Sequence, residues 1–283
     1  MGLVANAKHA LISWFVKKRP LMLPGMKYVE LNYYAGRVPI LRRLHPWVAA
    51  DRNSASYLPI KISIDKSLGT PVNQLLPPQI LHDLIEAANE HVIMDCCLCR
   101  NTQRCENHAI ELGCLFMGPS ALDIPEKIGR RATKEEAHAH VEKAIENGLV
   151  PMAGKVRVDN FLFLTPERHQ LLSVCFCCHC CCMMGYYRHS GKHMDHMMVP
   201  IEGAKVAVDF AKCKGCGTCV TTCIFEAITV DNGKAIHNDA CRVCGRCVRY
   251  CPNGAVSLTI ENPDYMEDVK KRILSYVDLK KTG

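Results

Sequence analysis

The sequence predicts an α+β protein built from two unequal parts. A helical, cysteine-rich module with a small strand component is expected over residues 54–185, and a smaller domain is expected over residues 203–262. Three observations support this division: 19 cysteines among 283 residues, helical spacing of apolar residues before residue 200, and short strands with cysteine-rich turns after it. A hydrophobic content of 48% is enough to form a buried core.

The cysteines indicate metal ligation and argue against a disulfide framework. Disulfide-rich secreted domains are normally much shorter than 283 residues. Many of these cysteines are also direct neighbours or are separated by one residue, and such pairs rarely form unstrained bridges. Thiolate ligation of a soft metal is therefore the better interpretation, and it predicts a reducing compartment, the cytoplasm.

Residues 1–53 form a basic lead-in with one amphipathic helix. Segment 1–60 carries the whole net charge of +7, and apolar residues recur there at helical spacing: Leu3, Ala7, Ala10, Leu11 and Trp14. Pro20 and Pro24 are expected to end this helix. Residues 3–19 could dock on a partner subunit, lie on an anionic membrane surface or pack on their own domain. The apolar run at 10–16 is too short to span a bilayer, and no nucleic-acid-binding motif accompanies the dispersed charge.

The next segments alternate between strand and helix patterns. Residues 57–65 alternate as a half-buried edge strand, and Pro77-Pro78 opens a helix with one apolar face. Thr133 and Glu136 form a capping box for a second helix, which is expected to end before Gly148. Residues 156–164 are predicted as a strand or two, and a helix is predicted from Thr165 into the second cysteine group. Packing of helices is expected to bring the two cysteine groups together.

Two cysteine runs with the same spacing lie near the carboxyl terminus. Each has the pattern C-x₂-C-x₂-C-x₃-C, beginning at Cys213 and at Cys241. Small residues between the cysteines (Gly215, Gly217 and Gly245) allow a tight loop in which several thiolates converge on one [4Fe–4S] cube. Two zinc knuckles are the alternative, but zinc sites seldom use four cysteines at this spacing twice.

On these runs, residues 204–262 resemble the bacterial-type two-cluster ferredoxins. The resemblance implies a βαβ-βαβ fold over 203–262 and two [4Fe–4S] clusters. It implies one cluster on Cys213, Cys216, Cys219 and Cys251, and the other on Cys241, Cys244, Cys247 and Cys223. Ile224 departs from the proline that usually follows the fourth cysteine, which affects local packing and potential but removes no ligand.

Ten of the remaining eleven cysteines are candidate ligands for a third centre. These candidates are Cys97, Cys99, Cys105, Cys114, Cys175, Cys177, Cys178, Cys180, Cys181 and Cys182. Their order, Cys-x-Cys-Arg followed by Cys-x-Cys-Cys-x-Cys-Cys-Cys, resembles an uncharacterised group of iron–sulfur proteins of anaerobes over residues 57–184. The resemblance implies anaerobic redox chemistry without an assigned reaction. A second cluster, a non-cubane cluster or a few thiols that bind no metal all remain open.

The remaining segments and the missing motifs complete the prediction. Residues 186–202 read as a linker and residues 263–283 as a helix or tail. The sequence has no dinucleotide fingerprint, no Walker A loop and no radical-SAM cysteine triplet. Electrons should therefore come from a redox protein partner, such as a flavoprotein or a reductase. The sequence predicts an iron–sulfur electron-transfer protein; an oxidoreductase whose amino-terminal cluster reduces a small molecule or a disulfide is the alternative.

Overall fold

The computed structural model describes residues 3–35, 37–38, 54–59, 63–64, 79–165, 169–189 and 197–280. Helices and strands are both abundant, and they confirm the predicted α+β class. One of the hydrophobic core clusters spans both parts of the chain. It includes Leu81 and Val141 of the cysteine-rich part together with Leu258 and Val269 near the carboxyl terminus.

The cysteine-rich part is built on a six-stranded antiparallel sheet. Its order is β1-β6-β7-β4-β3-β5. The strands are β1 (Ser54–Tyr57), β3 (His91–Met94), β4 (Leu115–Met117), β5 (Gly129–Arg131), β6 (Val150–Lys155) and β7 (Leu172–Cys177). The strand component of this module is therefore larger than the sequence predicted. Most of these strands are buried on both faces, so they lack the polar alternation that identifies a strand in sequence.

Helices cover both faces of this sheet. Ile93 of β3 contributes to the core beneath α3 (Gln79–Ala87) and α5 (Lys134–Glu146). Its neighbours Val92 and Met94 face the opposite side, where they join a core that includes residues of α1 (Leu3–Lys17). The predicted apolar face of α3 and the capping box of α5 are both confirmed. Gly148 follows α5 with a φ of 88°, as expected for a residue just past a helix end.

The amino-terminal helices differ from the prediction in their buried face. Ile12 and Val16 of α1 are buried, whereas Leu11 and Trp14 of the predicted stripe are 60% and 54% exposed. Packing against Phe116 and its neighbours selects the Ile12–Val16 side of a helix that is apolar on two sides. Docking through residues 3–19 stays a prediction. No described helix has the length and hydrophobicity needed to cross a membrane.

Proline does not end the helical region as predicted. The first helix ends at Lys17, and α2 (Arg19–Ala35) follows after one residue. Pro20 lies in the first turn of α2, where its missing N–H costs no hydrogen bond, and Pro24 lies inside the helix.

Three further segments were predicted wrongly. The strand expected over 57–65 is two short strands in different sheets, β1 and β2 (Ser63–Ile64), and residues 60–62 lie outside the described residues. The strand expected over 156–164 is α6 (Arg157–Leu162), because β6 has already ended at Lys155. The segment expected to run as a helix into the second cysteine group contains β7, and residues 166–168 lie outside the described residues.

The carboxy-terminal part repeats a strand–helix–strand order. It contains β8 (Ala204–Val208), α7 (Thr218–Thr222), β9 (Ile228–Asp231), β10 (Lys234–His237), α8 (Arg246–Tyr250) and β11 (Val256–Ile260). The β11 strand lies between antiparallel β8 and parallel β2, so the segment after β1 joins this second sheet. The chain continues into α9 (Tyr265–Tyr276), which packs on α3, β1 and β6. Within the predicted linker over 186–202, Tyr187, Met198 and Ile201 are buried.

Candidate metal centres

Each predicted ferredoxin quartet lines its own cavity. The first cavity, here called cage one, has about 320 Å³ of empty space, and four of its lining residues are Cys213, Cys216, Cys219 and Cys251. The second, cage two, has about 310 Å³, and four of its lining residues are Cys223, Cys241, Cys244 and Cys247. The fourth cysteine of each run therefore lines the cavity of the other run. The donor chemistry and the similar sizes fit two iron–sulfur cubes.

The two cages are built by the same backbone repeat. Positive φ angles recur at equivalent positions of the two runs, with 65° at Gly215 and 52° at Val243, 78° at Gly217 and 75° at Gly245, and 52° at Glu226 and 56° at Gly254. Val243 and Glu226 adopt this conformation without being glycine, which costs each of them about 1–3 kcal/mol. The repeat is therefore maintained even where the side chain opposes it.

Backbone N–H groups donate hydrogen bonds to thiols of both cages. Ala227 donates its N–H to Cys223 Sγ at 3.4 Å, and Ala255 donates to Cys251 Sγ at 3.3 Å. Cys213 Sγ and Cys241 Sγ also accept backbone N–H groups, both at 3.4 Å, but from Ala235 and Val243, which are not equivalent positions of the repeat. Such hydrogen bonds stabilise negative charge on sulfur and tune the potential of a bound cluster.

The two cages differ in their access to solvent. Cys216 of cage one is exposed, and hydrogen bonds from Thr218 lower the pKa of its thiol. In cage two, burial raises the pKa of Cys241 and of Cys247. Ile224, the departure from the ferredoxin pattern, is buried in the core beside cage two, where it shares a cluster with Phe225 and Cys244. Cage one is therefore the more accessible of the two.

The sheet, and not helix packing, brings the two cysteine groups of the amino-terminal part together. Strand β4 lies between β3 and β7, so the chain segments at their ends are neighbours. Cys114 immediately precedes β4 and lies opposite Cys175 of β7, with 3.9 Å between the two Sγ atoms. Cys97 and Cys99 lie at the start of α4 (Leu98–Gln103), which follows β3. Helix packing was expected because the strands on either side were not recognised in the sequence.

Seven of the ten candidate cysteines line one large apolar cavity, here called the cysteine cavity. It has about 1280 Å³ of empty space, and residues of α1 and α2, including Phe15 and Met26, form one wall. Its cysteines are Cys97, Cys99, Cys114, Cys175, Cys177, Cys178 and Cys182. Soft thiolate donors in an apolar pocket of this size fit a multi-iron centre.

The other cysteines of this part lie outside the cysteine cavity. Cys105, Cys180 and Cys181 group with Cys178, and these four Sγ atoms all lie within 4.8 Å of one another. Cys96 is half-buried and lines neither of the two cages nor the cysteine cavity.

Arg100 is the main positive charge on the cysteine cavity. Its side chain is fully buried and donates to the carbonyl oxygens of Ala109 at 2.9 Å, Phe176 at 2.7 Å and Leu112. The thiol hydrogen bond with Cys99 lowers the pKa of Cys97 to about 6, and Arg100 acts in the same direction against burial. Arg104, four residues further on, ends α4 in a left-handed turn and is exposed.

A buried bridge connects cage two with the cysteine cavity. Arg246 is 1% exposed and donates to the carbonyl oxygen of Cys177 at 2.7 Å and to Cys244 Sγ at 3.6 Å. The Tyr57 ring lies beneath the guanidinium group, with 5.5 Å between its centroid and Arg246 Cζ. The Tyr57 hydroxyl donates to Cys177 Sγ at 3.7 Å. Burial opposes the charge of Arg246, but Cys244, Tyr57 and Cys177 together hold its pKa above the ordinary value.

Sequence reasoning missed this bridge, although one signal was present. Arg246 lies between two cage cysteines at the position that Thr218 occupies in the first run, so the repeat itself marks the difference. Nothing in the sequence pattern around Tyr57 indicates that it contacts Cys177.

Comparison with known proteins agrees with the assignment of the cages. Residues 212–256 match the family model of the 4Fe-4S dicluster domain. The match supports iron–sulfur cluster binding and an iron–sulfur electron-transfer role. Searches of curated proteins and of solved structures gave no match.

The crossing of the fourth ligand can be tested with serine variants. We expect Cys251→Ser and Cys216→Ser to damage the same cluster, because both residues line cage one. Cys223→Ser and Cys244→Ser should damage the other cluster, and Cys96→Ser should spare both. Iron content and the electron paramagnetic resonance spectrum of the reduced protein provide the measurement. If Cys251→Ser instead gives the spectrum of Cys244→Ser, the ligands do not cross.

Proposed function

We propose that this protein is a cytoplasmic iron–sulfur electron carrier of anaerobic metabolism. It would hold two [4Fe–4S] clusters in the cages and a further iron–sulfur centre in the cysteine cavity, and relay electrons between redox protein partners. Bound clusters supply one-electron redox chemistry. The residues of the chain hold them, exclude water and set their electrostatic surroundings. One observation carries the proposal: Arg246, which lines cage two, and Tyr57 both contact Cys177, which lines the cysteine cavity.

The exposure of cage one supports it as the site where electrons enter or leave the molecule. Cage one has an exposed thiol at Cys216, and Phe210 nearby in the chain is 55% exposed. A redox partner, such as a flavoprotein or a reductase, would dock at this edge. Cage two is connected to both other sites, since α7 and α8 pack together and Arg246 of α8 donates to the carbonyl oxygen of Cys177.

The bridge residues are suited to couple the two centres without supplying a redox group of their own. The guanidinium group of Arg246 donates one hydrogen bond to the cage thiol of Cys244 and another to the backbone carbonyl of Cys177. Its fixed positive charge favours the reduced, more negative form of any cluster beside it. Tyr57 holds the guanidinium from below, and burial raises the pKa of its phenol well above the ordinary value, which keeps it neutral.

Iron and acid-labile sulfide per chain test the proposal. The protein should be purified and reconstituted without oxygen, and should hold clearly more than the roughly 8 irons that two [4Fe–4S] cubes require. Cys97→Ser and Cys177→Ser should lower the iron and the sulfide together towards that value and slow electron transfer between a reduced donor and an acceptor. Cys96→Ser should change neither. A wild-type content of about 8 irons, with electron transfer unaffected by Cys177→Ser, would remove the third centre from the proposal.

Removal of the buried charge should shift one potential. In Arg246→Gln, cage two loses a charged hydrogen bond worth about 1.5–3 kcal/mol. If that loss falls on the reduced form alone, the one-electron potential of this cluster drops by roughly 60–130 mV. The matched control is Arg249→Gln, an exposed residue on the same helix, which should leave the potential unchanged. Redox titration followed by electron paramagnetic resonance measures both; equal shifts in the two variants would contradict the assigned role.

A second candidate function is reduction of a small apolar molecule in the cysteine cavity. Asp159 on the cavity wall favours it. Burial raises the pKa of this carboxyl to about 6, and its Oδ2 accepts no hydrogen bond from the described residues. Reduction of a double bond or a disulfide takes up two electrons and two protons. The redox partner would supply the electrons, and Asp159 is placed to donate one of the protons, with the other coming from water.

Acceptor-dependent oxidation of reduced methyl viologen tests this second candidate. With a panel of small apolar acceptors, we expect turnover that falls by about 10²-fold or more in Asp159→Asn, the usual effect of losing a general acid. Wild-type turnover should also decline as the pH rises through about 6, because the carboxyl loses its proton there. Asp123→Asn, a partly exposed residue paired with Lys8, is the control. Oxidation at the same rate with and without every acceptor would exclude this function for the panel.

A further inference from the structure

The close group formed by Cys105, Cys178, Cys180 and Cys181 differs in its spacing from every other set of cysteines described above. Its four Sγ atoms lie within 4.8 Å of one another, and Cys105 Sγ is 3.5 Å from Cys180 Sγ. The eight cage cysteines form no group this close among the described residues. Only Cys178 of the four also lines the cysteine cavity.

Spacing separates a single ion from a cluster. With zinc–sulfur bonds of about 2.3 Å, the thiolates of a tetrahedral ion lie roughly 3.8 Å apart. A [4Fe–4S] cube binds each thiolate through a different iron and therefore keeps its ligands further apart. The two cages provide the internal comparison, because among the described residues their cysteines form no group whose Sγ atoms all lie within 4.8 Å of one another. The close group thus has the dimensions of a site for one ion.

The local backbone also prepares this group for a bound ion. The N–H of Cys181 donates to Cys178 Sγ at 3.2 Å, which stabilises negative charge on that sulfur. Gln103 of α4 donates to the carbonyl oxygen of Cys181 at 2.8 Å, and this hydrogen bond connects the helix to the cysteine group at 175–182. Cys105, Cys178 and Cys181 are buried, whereas Cys180 is exposed and leaves a path to solvent.

We propose that Cys105, Cys178, Cys180 and Cys181 form a mononuclear tetrathiolate site for a soft divalent cation, Zn²⁺ or Fe²⁺. Binding replaces four thiol protons with one ion, and four metal–sulfur bonds form. The ion joins the segment after α4 to the segment after β7, two chain segments that both carry cysteines of the cysteine cavity. The site does not depend on the proposed electron transfer. It leaves six cysteines, Cys97, Cys99, Cys114, Cys175, Cys177 and Cys182, for the cysteine cavity alone.

Metal analysis of the full chain tests this site. In protein purified without oxygen, we expect either about one zinc per chain or about one iron atom in excess of acid-labile sulfide. Cys105→Ser and Cys180→Ser should each lose that single equivalent, with sulfide unchanged. Cys96→Ser is the matched control because Cys96 lies outside the group, and it should keep the full metal content.

X-ray absorption on the wild-type protein keeps the test independent of how the variants fold. At the zinc edge, a zinc-loaded site should show four sulfur neighbours at about 2.3 Å. For an iron-loaded site, replacement by Co²⁺ should give the absorption bands of a tetrahedral tetrathiolate, and Cys180→Ser should abolish them. Loss of several irons together with sulfide in Cys105→Ser would overturn the proposal, because these thiols would then bind a cluster. Wild-type protein with neither zinc nor excess iron would also overturn it.

Discussion

Two buried guanidinium groups carry positive charges that the surrounding structure must compensate. Arg100 and Arg246 are the largest fully buried side chains, and among the described residues no carboxylate pairs with either. Taking a cation out of water costs several kcal/mol unless a negative group compensates it. Both side chains donate to backbone carbonyls and lie near thiols, and the Tyr57 ring also contacts Arg246. Neutral thiols compensate poorly, whereas metal-bound thiolates compensate well, so the two arginines are an independent indication that the cysteines around them bind metal.

The burial of Arg246 also explains why the two parts of the chain pack together. Arg246 belongs to the ferredoxin-like repeat, yet its main hydrogen bond goes to Cys177 of the six-stranded sheet. Its partner Tyr57 lies at the end of β1, and the segment after β1 contributes β2 to the other sheet. Gly245, directly before Arg246, has Pro59 so close that an added Cβ would lie 3.0 Å from it. These contacts fix cage two against the cysteine cavity, and a fixed short separation is what a relay between two centres needs.

The iron–sulfur domain near the carboxyl terminus could be predicted from the sequence because its information is local. Each cage is specified by cysteines and tight turns that are close together in the chain, and the repeated cysteine spacing reveals the second copy. The amino-terminal part was harder, because Cys114 and Cys175 meet through the pairing of β4 and β7, which are far apart in the sequence. Strands buried on both faces have no alternation, so Leu172–Cys177 was read as helix and the sheet was not recognised. The exposed stripe of α1 was mistaken for its buried face for a related reason, since only tertiary packing distinguishes the two sides.

The crowding of six cysteines into residues 175–182 has a physical explanation in this arrangement. A strand directs Cys175 and Cys177 to the same face, because side chains two residues apart in a strand point the same way. The chain then leaves the strand, and the turn at Cys178–Cys181, closed by the N–H of Cys181 on Cys178 Sγ, gathers thiols at single-ion spacing instead. Cys182 returns to the cysteine cavity. In the proposed assignment, one continuous run serves two kinds of metal centre, because the change from strand to turn alters the distance between neighbouring sulfurs. Residue type alone indicates metal binding, and the proposal assigns each cysteine to a centre by the backbone conformation around it.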